Sequence, residues 1–143
     1  MWRSWTIGFI CAALAGCTLP SPFQGMVPGL PNPPGNLAAD RAACNKEYPP
    51  RVGNYLPHTE CVNAAIERDA IPLARYPDLI RLQERLRAKY SAAIDRGALS
   101  PQAGERKMRE ADELVDETIR DRDRGRNQVA GHRLAALESM LQY

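Results

Sequence analysis

Proline divides this chain before any other residue does. Six of its twelve prolines crowd into residues 18–36, TLPSPFQGMVPGLPNPPGN; the others stand at positions 49, 50, 57, 72, 77 and 101. A locked φ and a missing N–H break helix interiors and strand ladders, yet suit the first turn of a helix. The crowded stretch therefore supports no regular element and reads as a tether, part polyproline II and part coil. At about 3.1 Å per residue it reaches roughly 60 Å when stretched. Its PxxP spacings at Pro28, Pro31 and Pro34 are those of an SH3 ligand, but a spacer explains the same composition.

The scattered prolines bracket helical segments. Asn36 is a fair N-cap for a short helix over residues 37–48 that carries Cys44 and is stopped by Pro49-Pro50. A second helix is predicted from Pro57 or His58, HTECVNAAIERDA, and Pro72 should end or kink it. The third is the clearest, PDLIRLQERLRAKYSAAIDRG. Pro77 sits at an N1-like position, Asp78 in the first turn and Gly97 just past the end. Leu79, Leu82, Leu86, Tyr90 and Ala93 recur at steps of three and four, with Arg81, Glu84, Arg85, Arg87 and Lys89 mostly away from that stripe.

Ser100 then caps and Pro101 opens a fourth segment, which could run to about residue 141 as one helix. Its apolar strip of Met108, Ala111, Leu114, Val115 and Ile119 lapses through RDRDRGRNQ, residues 120–128, and resumes at Val129, Leu134, Leu137 and Leu141. Gly125 and Gly131 each weaken a helix there by about 1 kcal/mol relative to Ala, so a bend, a fray or two helices are expected. The short link after Gly97 makes the third and fourth helices an antiparallel hairpin. The expected class is all-α, a small helical domain over residues 37–143. Residues 37–143 have only tyrosines as aromatics, so the core is aliphatic and thin.

The amino-terminal residues say where such a domain resides. Met1-Trp2-Arg3 gives a positive start, and Trp5 to Leu14 is an apolar run of about ten residues, too short to span a bilayer that needs about 20. Small residues follow, which is the layout of a secretory signal. Leu14-Ala15-Gly16-Cys17 resembles the lipobox of bacterial lipoproteins. The resemblance implies cleavage before Cys17, leaving residues 1–16 as the signal peptide, and a thioether-linked diacylglycerol on Cys17. Its amine would usually be acylated as well, with palmitate the expected chain type. Two or three acyl chains make a stable membrane anchor at about 0.8 kcal/mol per buried methylene. Residue 18 is Thr rather than Asp, which by the same resemblance favours the outer membrane, facing the periplasm. Residues 17–36 are then the lipidated cysteine and its Pro-rich tether.

Cysteine usage follows from that address. Cys11 leaves with the signal and Cys17 takes the lipid. Cys44 and Cys61 remain in an oxidising compartment, where a disulfide is expected. It closes a loop of about 18 residues, worth roughly 3 kcal/mol in the chain-entropy model. Two rival chemistries use the same atoms. Cys44, His58 and Cys61 could supply three zinc ligands, with His132 far along the chain as the only other histidine. A Cys–His nucleophile pair has no evident orienting partner.

Residues 82–114, with Gly97-Ala98-Leu99-Ser100 at the turn, also resemble the short two-helix module called SHOCT, although Gln102-Ala103 stands where that module has a Glu pair. The resemblance implies a helical hairpin and nothing further.

Other chemistry is thinly represented. Without Arg3 the 19 basic residues become 18 against 17 acidic ones, a balance that argues against a general nucleic-acid binder. Asp121-Arg-Asp123-Arg-Gly125 lacks the ligand pattern of a calcium loop. Its arginines alternate with aspartates, and Asp116 and Arg120 stand four apart. A solvated, salt-bridged helix face is the reading, with an anionic contact patch as the alternative. No phosphate loop or nucleophile turn is present. Neither catalysis, a cofactor nor a metal is expected. The function expected is a lipid-anchored envelope protein whose helices bind a protein partner or a second copy, with no nucleic acid involved. The alternative is a periplasmic inhibitor or regulator of a cell-wall hydrolase, which would use residues 45–60 with Tyr48, Tyr55 and His58.

Overall fold

A computed structural model describes residues 37–142. The signal-like run, Cys17, the tether and the Asn36 cap lie outside the described residues. Five α-helices follow one another: α1 (Leu37–Glu47), α2 (Tyr55–Asp69), α3 (Pro77–Asp95), α4 (Pro101–Asp123) and α5 (Asn127–Gln142), with a 3-10 turn at Ile71–Leu73 between α2 and α3. The described residues form the small all-α domain that the periodicity predicts. None of these helices is long and apolar enough to cross a membrane.

Helix α2 begins earlier than Pro57, and the cause is not local. Its N-cap Asn54 makes no side-chain cap bond. The service comes from Asp95 at the far end of α3, whose carboxylate accepts from Gly53 N at 2.7 Å, Tyr55 N at 3.2 Å and Leu56 N at 2.8 Å. First-turn amides have no intrahelical acceptor, so Pro57 sits there without losing a bond.

The remaining boundaries follow local chemistry. Gly97 adopts φ +72°, donates to Ile94 O at 2.9 Å, and lets Ala98 N reach Ala93 O at 2.8 Å, a left-handed stop for α3. Ser100 Oγ accepts from Ala103 N at 3.2 Å to start α4. The long fourth segment resolves into two helices. Gly125, at φ +70°, ends α4 as Arg126 N bonds back to Asp121 O at 2.9 Å. Gly131 is tolerated inside α5.

Consecutive helices run antiparallel, as their cross-links show. Helices α1 and α2 meet through Cys44–Cys61 and Asp40–Arg68. Helices α2 and α3 meet at Thr59–Ser91 and Glu67–Arg81. For α3 and α4 the contacts are Gln83–Asp112 and Asp78–Arg122, and for α4 and α5 they are Asp121–Arg133 and Glu117–Arg133. The expected α3–α4 hairpin is therefore present. Its two helices approach closely near the turn, where a Cβ on Gly104 would meet Ile94 Cδ1 at 2.6 Å. Helix α5 also returns to α3, where Lys89 Nζ donates to Met140 O at 2.7 Å.

Two apolar cores result, and α3 is the wall between them. One holds Leu37, Cys44, Val62, Ala65, Ile66, Ala70, Ile71 and Ile80. The other holds Leu79, Leu82, Leu86, Tyr90, Met108, Ala111, Val115 and Leu137. The leucine stripe of α3 faces α4 and α5 as expected. Its opposite side is buried too, because α2 covers it. Glu84, which the stripe places on an outward face, is only 6% exposed.

Candidate functional site

The sequence singles out Cys17, Cys44, Cys61 and His58. Cys17 lies outside the described residues. Cys44 on α1 and Cys61 on α2 have their sulfurs at bonding distance, with Cα atoms 5.9 Å apart, the geometry of a disulfide. The bond occupies both sulfurs that a zinc site or a thiol nucleophile would need. His58 turns to Asn45, with Nε2 and Oδ1 2.7 Å apart, and burial followed by the Arg87 charge pushes its pKa down. Among the described residues no group of three or more His, Cys, Asp or Glu side chains could hold a metal ion.

Between α1 and α2 the chain makes a short loop, residues 48–54, that is fastened at several points. The disulfide joins the helices that flank it. Asn54 Nδ2 donates to Pro49 O at 2.9 Å and Asn54 N to Arg51 O at 2.9 Å, while Gly53 N is held by Asp95. Val52 projects from the tip, 61% exposed, beside an exposed Arg51. Tyr55 and His58, grouped with this loop in the sequence, instead sit half-buried in the first turn and body of α2.

A polar groove lies elsewhere, on the α2–α3 face. A groove of about 630 Å³ is lined by Asn63 and Glu67 of α2 and by Asp78, Arg81, Glu84, Arg85 and Ala88 of α3. The α3 members recur at steps of three and four, so one helix face supplies the floor. Most of the charges here are already committed. Arg81 donates to both oxygens of Glu67, at 2.9 and 3.2 Å, and this bonding holds the Glu67 carboxyl below its usual range. Asp78 is bound by Arg122, at 3.0 and 2.7 Å. Asn63 donates to Glu84 O at 3.2 Å and accepts from Arg87 Nη1 at 3.1 Å.

Glu84 is the exception. Its Oε1 is buried and receives no hydrogen bond. Burial, and then the neighbouring Glu67 charge, raise its pKa to about 7, against the smaller opposing pull of Arg87 and Arg81. At neutral pH the carboxyl is thus divided between its two protonation states, and Glu67 is close enough to share its proton. Arg85 at the rim is exposed and makes no ion pair among the described residues.

The run of alternating Arg and Asp is largely the exposed, salt-bridged face that the sequence reading expects, with Asp121 as the buried exception. Asp121 is 1% exposed and binds both Arg126 and Arg133, the latter through Nε at 2.9 Å. Arg122 reaches Asp78 on α3. Asp123 binds Arg75 at 2.8 Å and accepts from the Tyr76 hydroxyl at 2.8 Å. The Tyr76 ring lies under two guanidinium groups, Arg75 at 5.3 Å and Arg122 at 5.2 Å from its centroid. The aspartates thus tie α4 to α5 and to the start of α3, which removes much of the charge an anionic contact patch would need.

Sequence reasoning missed both Glu84 and Asp121. The only signal for Glu84 was the companion spacing of Ile80, Glu84, Arg87 and Ser91, a second α3 face without enough apolar residues to stand out. No family model, no curated protein and no solved structure matches this chain.

Proposed function

We propose that the chain is a lipid-anchored cell-envelope protein. Cys17 is its membrane foothold, residues 18–36 its standoff, and the helical domain a binding module rather than a catalyst. The observation that carries this reading is the pairing of Cys44 with Cys61. A disulfide persists where thiols are not kept reduced, which is the kind of compartment a Leu-Ala-Gly-Cys processing site leads to. The outer membrane, seen from the periplasm, is the address that Thr18 favours. The partner is another envelope protein or a second copy, met through helices.

Crosslinking and affinity capture from intact envelopes test the proposal, with Cys17→Ala as control and mass spectrometry of the mature chain alongside. A lipid-modified Cys17 at the new amino terminus, with a partner captured only when that residue is present, is the expected result. An intact Met1 or an unmodified thiol at residue 17 overturns it.

A second reading, inhibition or regulation of a cell-wall hydrolase, draws on the loop at residues 48–54. A fastened backbone carrying an exposed Val52 and Arg51 loses little freedom on docking, which is the economy that rigid binding loops exploit. Replacement of Val52 and Arg51 by Ser should then weaken hydrolase inhibition while leaving capture of any helix-bound partner unchanged.

A further inference from the structure

We propose that the end of the bundle at which the tether joins is a lipid-contact face. Leu73 and Val129 enter the headgroup region of an anionic bilayer, and Arg75, Arg124 and Arg126 meet its phosphates. The proposal rests on the lipid-anchored reading and adds which side of the domain the bilayer meets.

The topology gathers this end from four places in the chain. Leu37, where the tether arrives, packs with Ala70 and Ile71, and Asp40 one turn later pairs with Arg68 at the end of α2. The turn at Ile71–Leu73 follows. Arg75 and Tyr76 then bond to Asp123, which lays the link into α3 against the end of α4. Arg124 caps α4, and Val129 lies in the first turn of α5.

Single exposed apolar residues are ordinary on a protein surface. What sets these apart is their placement. Among the described residues three large hydrophobic side chains are exposed, and two of them, Leu73 at 49% and Val129 at 42%, share the end where the tether arrives. Pro72, beside Leu73, is exposed as well.

The charges at this end are layered. Pairing with aspartates removes most of the net charge, but it leaves the guanidiniums outermost. The Arg75 side chain is 70% exposed and that of its partner Asp123 is 39%. Arg126 is exposed above buried Asp121, and Arg68 is more exposed than Asp40 or Asp69. Arg124 is exposed and makes no ion pair among the described residues. Asp78, more exposed than Arg122, is the exception. An approaching surface therefore meets arginine before aspartate, flanking two apolar side chains. Apolar side chains with basic neighbours are what an anionic lipid interface accepts.

Such a contact is weak by itself, and the anchor removes the need for strength. With Cys17 held in the bilayer, residues 18–36 confine the domain near the surface at an effective concentration in the millimolar range. The contact becomes intramolecular. The tether then limits how far the domain lifts from a surface on which it rests, and the loop at residues 48–54 points away from the lipid.

The mature chain, purified from envelopes and reconstituted into vesicles of phosphatidylcholine and phosphatidylglycerol with brominated acyl chains, tests this. Flotation with the vesicles reads the anchor, and tryptophan quenching by bromine reads the face. Both natural tryptophans, Trp2 and Trp5, leave with the signal, so Leu73→Trp, Val129→Trp and Val52→Trp each carry a single reporter. Leu73→Trp and Val129→Trp should be quenched with blue-shifted emission, and Val52→Trp, at the opposite end, should show neither. Quenching of Leu73→Trp should fall on adding Arg124→Glu, on omitting phosphatidylglycerol, and in about 1 M salt, where the Debye length is about 3 Å. All four substituted positions are exposed, so the variants keep the fold, which circular dichroism checks.

Floating protein with Leu73→Trp and Val129→Trp unquenched, or with Val52→Trp quenched equally, overturns the face and leaves the anchor standing. Quenching indifferent to Arg124→Glu, lipid charge and salt overturns the part given to arginine. Protein that does not float overturns the anchor, and the face with it.

Discussion

At the scale of single residues, two carboxylates pull stability in opposite directions with pH. The raised pKa of Glu84 means that the folded protein holds a proton more tightly there than the unfolded chain does. Its contribution is therefore fully present below the ordinary glutamate range, near 4.5, and is lost as pH rises towards about 7. Asp121 is held below its usual range, first by the Arg133 hydrogen bond, so its contribution exists above the ordinary aspartate range and is lost as pH falls through the depressed value. Glu84→Gln should consequently melt higher than wild type at pH 8 and equal to it at pH 5; thermal unfolding across that window checks the sign. Asp95 offers a simpler test. Asp95→Ala removes the acceptor for three amides at the start of α2 and should cost about 1–2 kcal/mol in urea unfolding. That role was invisible in sequence, because the cap and the helix it caps lie some forty residues apart. The self-contained signals were legible, as with Ser100 before Pro101 and Gly97 after Asp95.

At the scale of elements, helix ends written in local chemistry were predictable and helix faces were not always. The α3 stripe of Leu79, Leu82, Leu86 and Tyr90 found its core as periodicity requires. The opposite face of α3 could not be foreseen, since burial of Gln83, Glu84 and Ser91 depends on where α2 lies. The Arg–Asp run shows the same limit. Spacing suggested pairs within one helix, whereas the structure spends Asp121, Arg122 and Asp123 on three different segments. Gly97→Ala forces a Cβ into the left-handed region and should cost about 1 kcal/mol, a drop of several degrees in Tm for a domain of this size. Asp121→Ala should lower the hydrogen-exchange protection of α5 while leaving α1 and α2 as protected as before, because among the described helices α5 touches only α3 and α4.

For the whole molecule, the two cores differ in what holds them. The α3–α4–α5 core is closed by packing and by the Asp121 cluster. Among the described helices α1 packs on α2 alone, burying little more than Leu37 and Cys44, so the bond to Cys61 supplies much of its hold. Reduction, or Cys44→Ser with Cys61→Ser, should lower stability by roughly 3 kcal/mol in the chain-entropy model. Exchange measurements should then show α1 opening first while α3–α5 stays closed. The cysteine count and spacing made this bond legible. The groove on the other side of α2 was not, since its chemistry exists only once two helices are laid together. The covalent link has a mechanical side as well. A pull arriving from the N-terminal end enters at Leu37, runs to Cys44 and crosses the sulfur bridge directly to Cys61. The intervening sixteen residues hang in a closed ring that carries no tension. Val52 and Arg51 at the crest of that ring would keep their posture while the strand of protein around them is stretched.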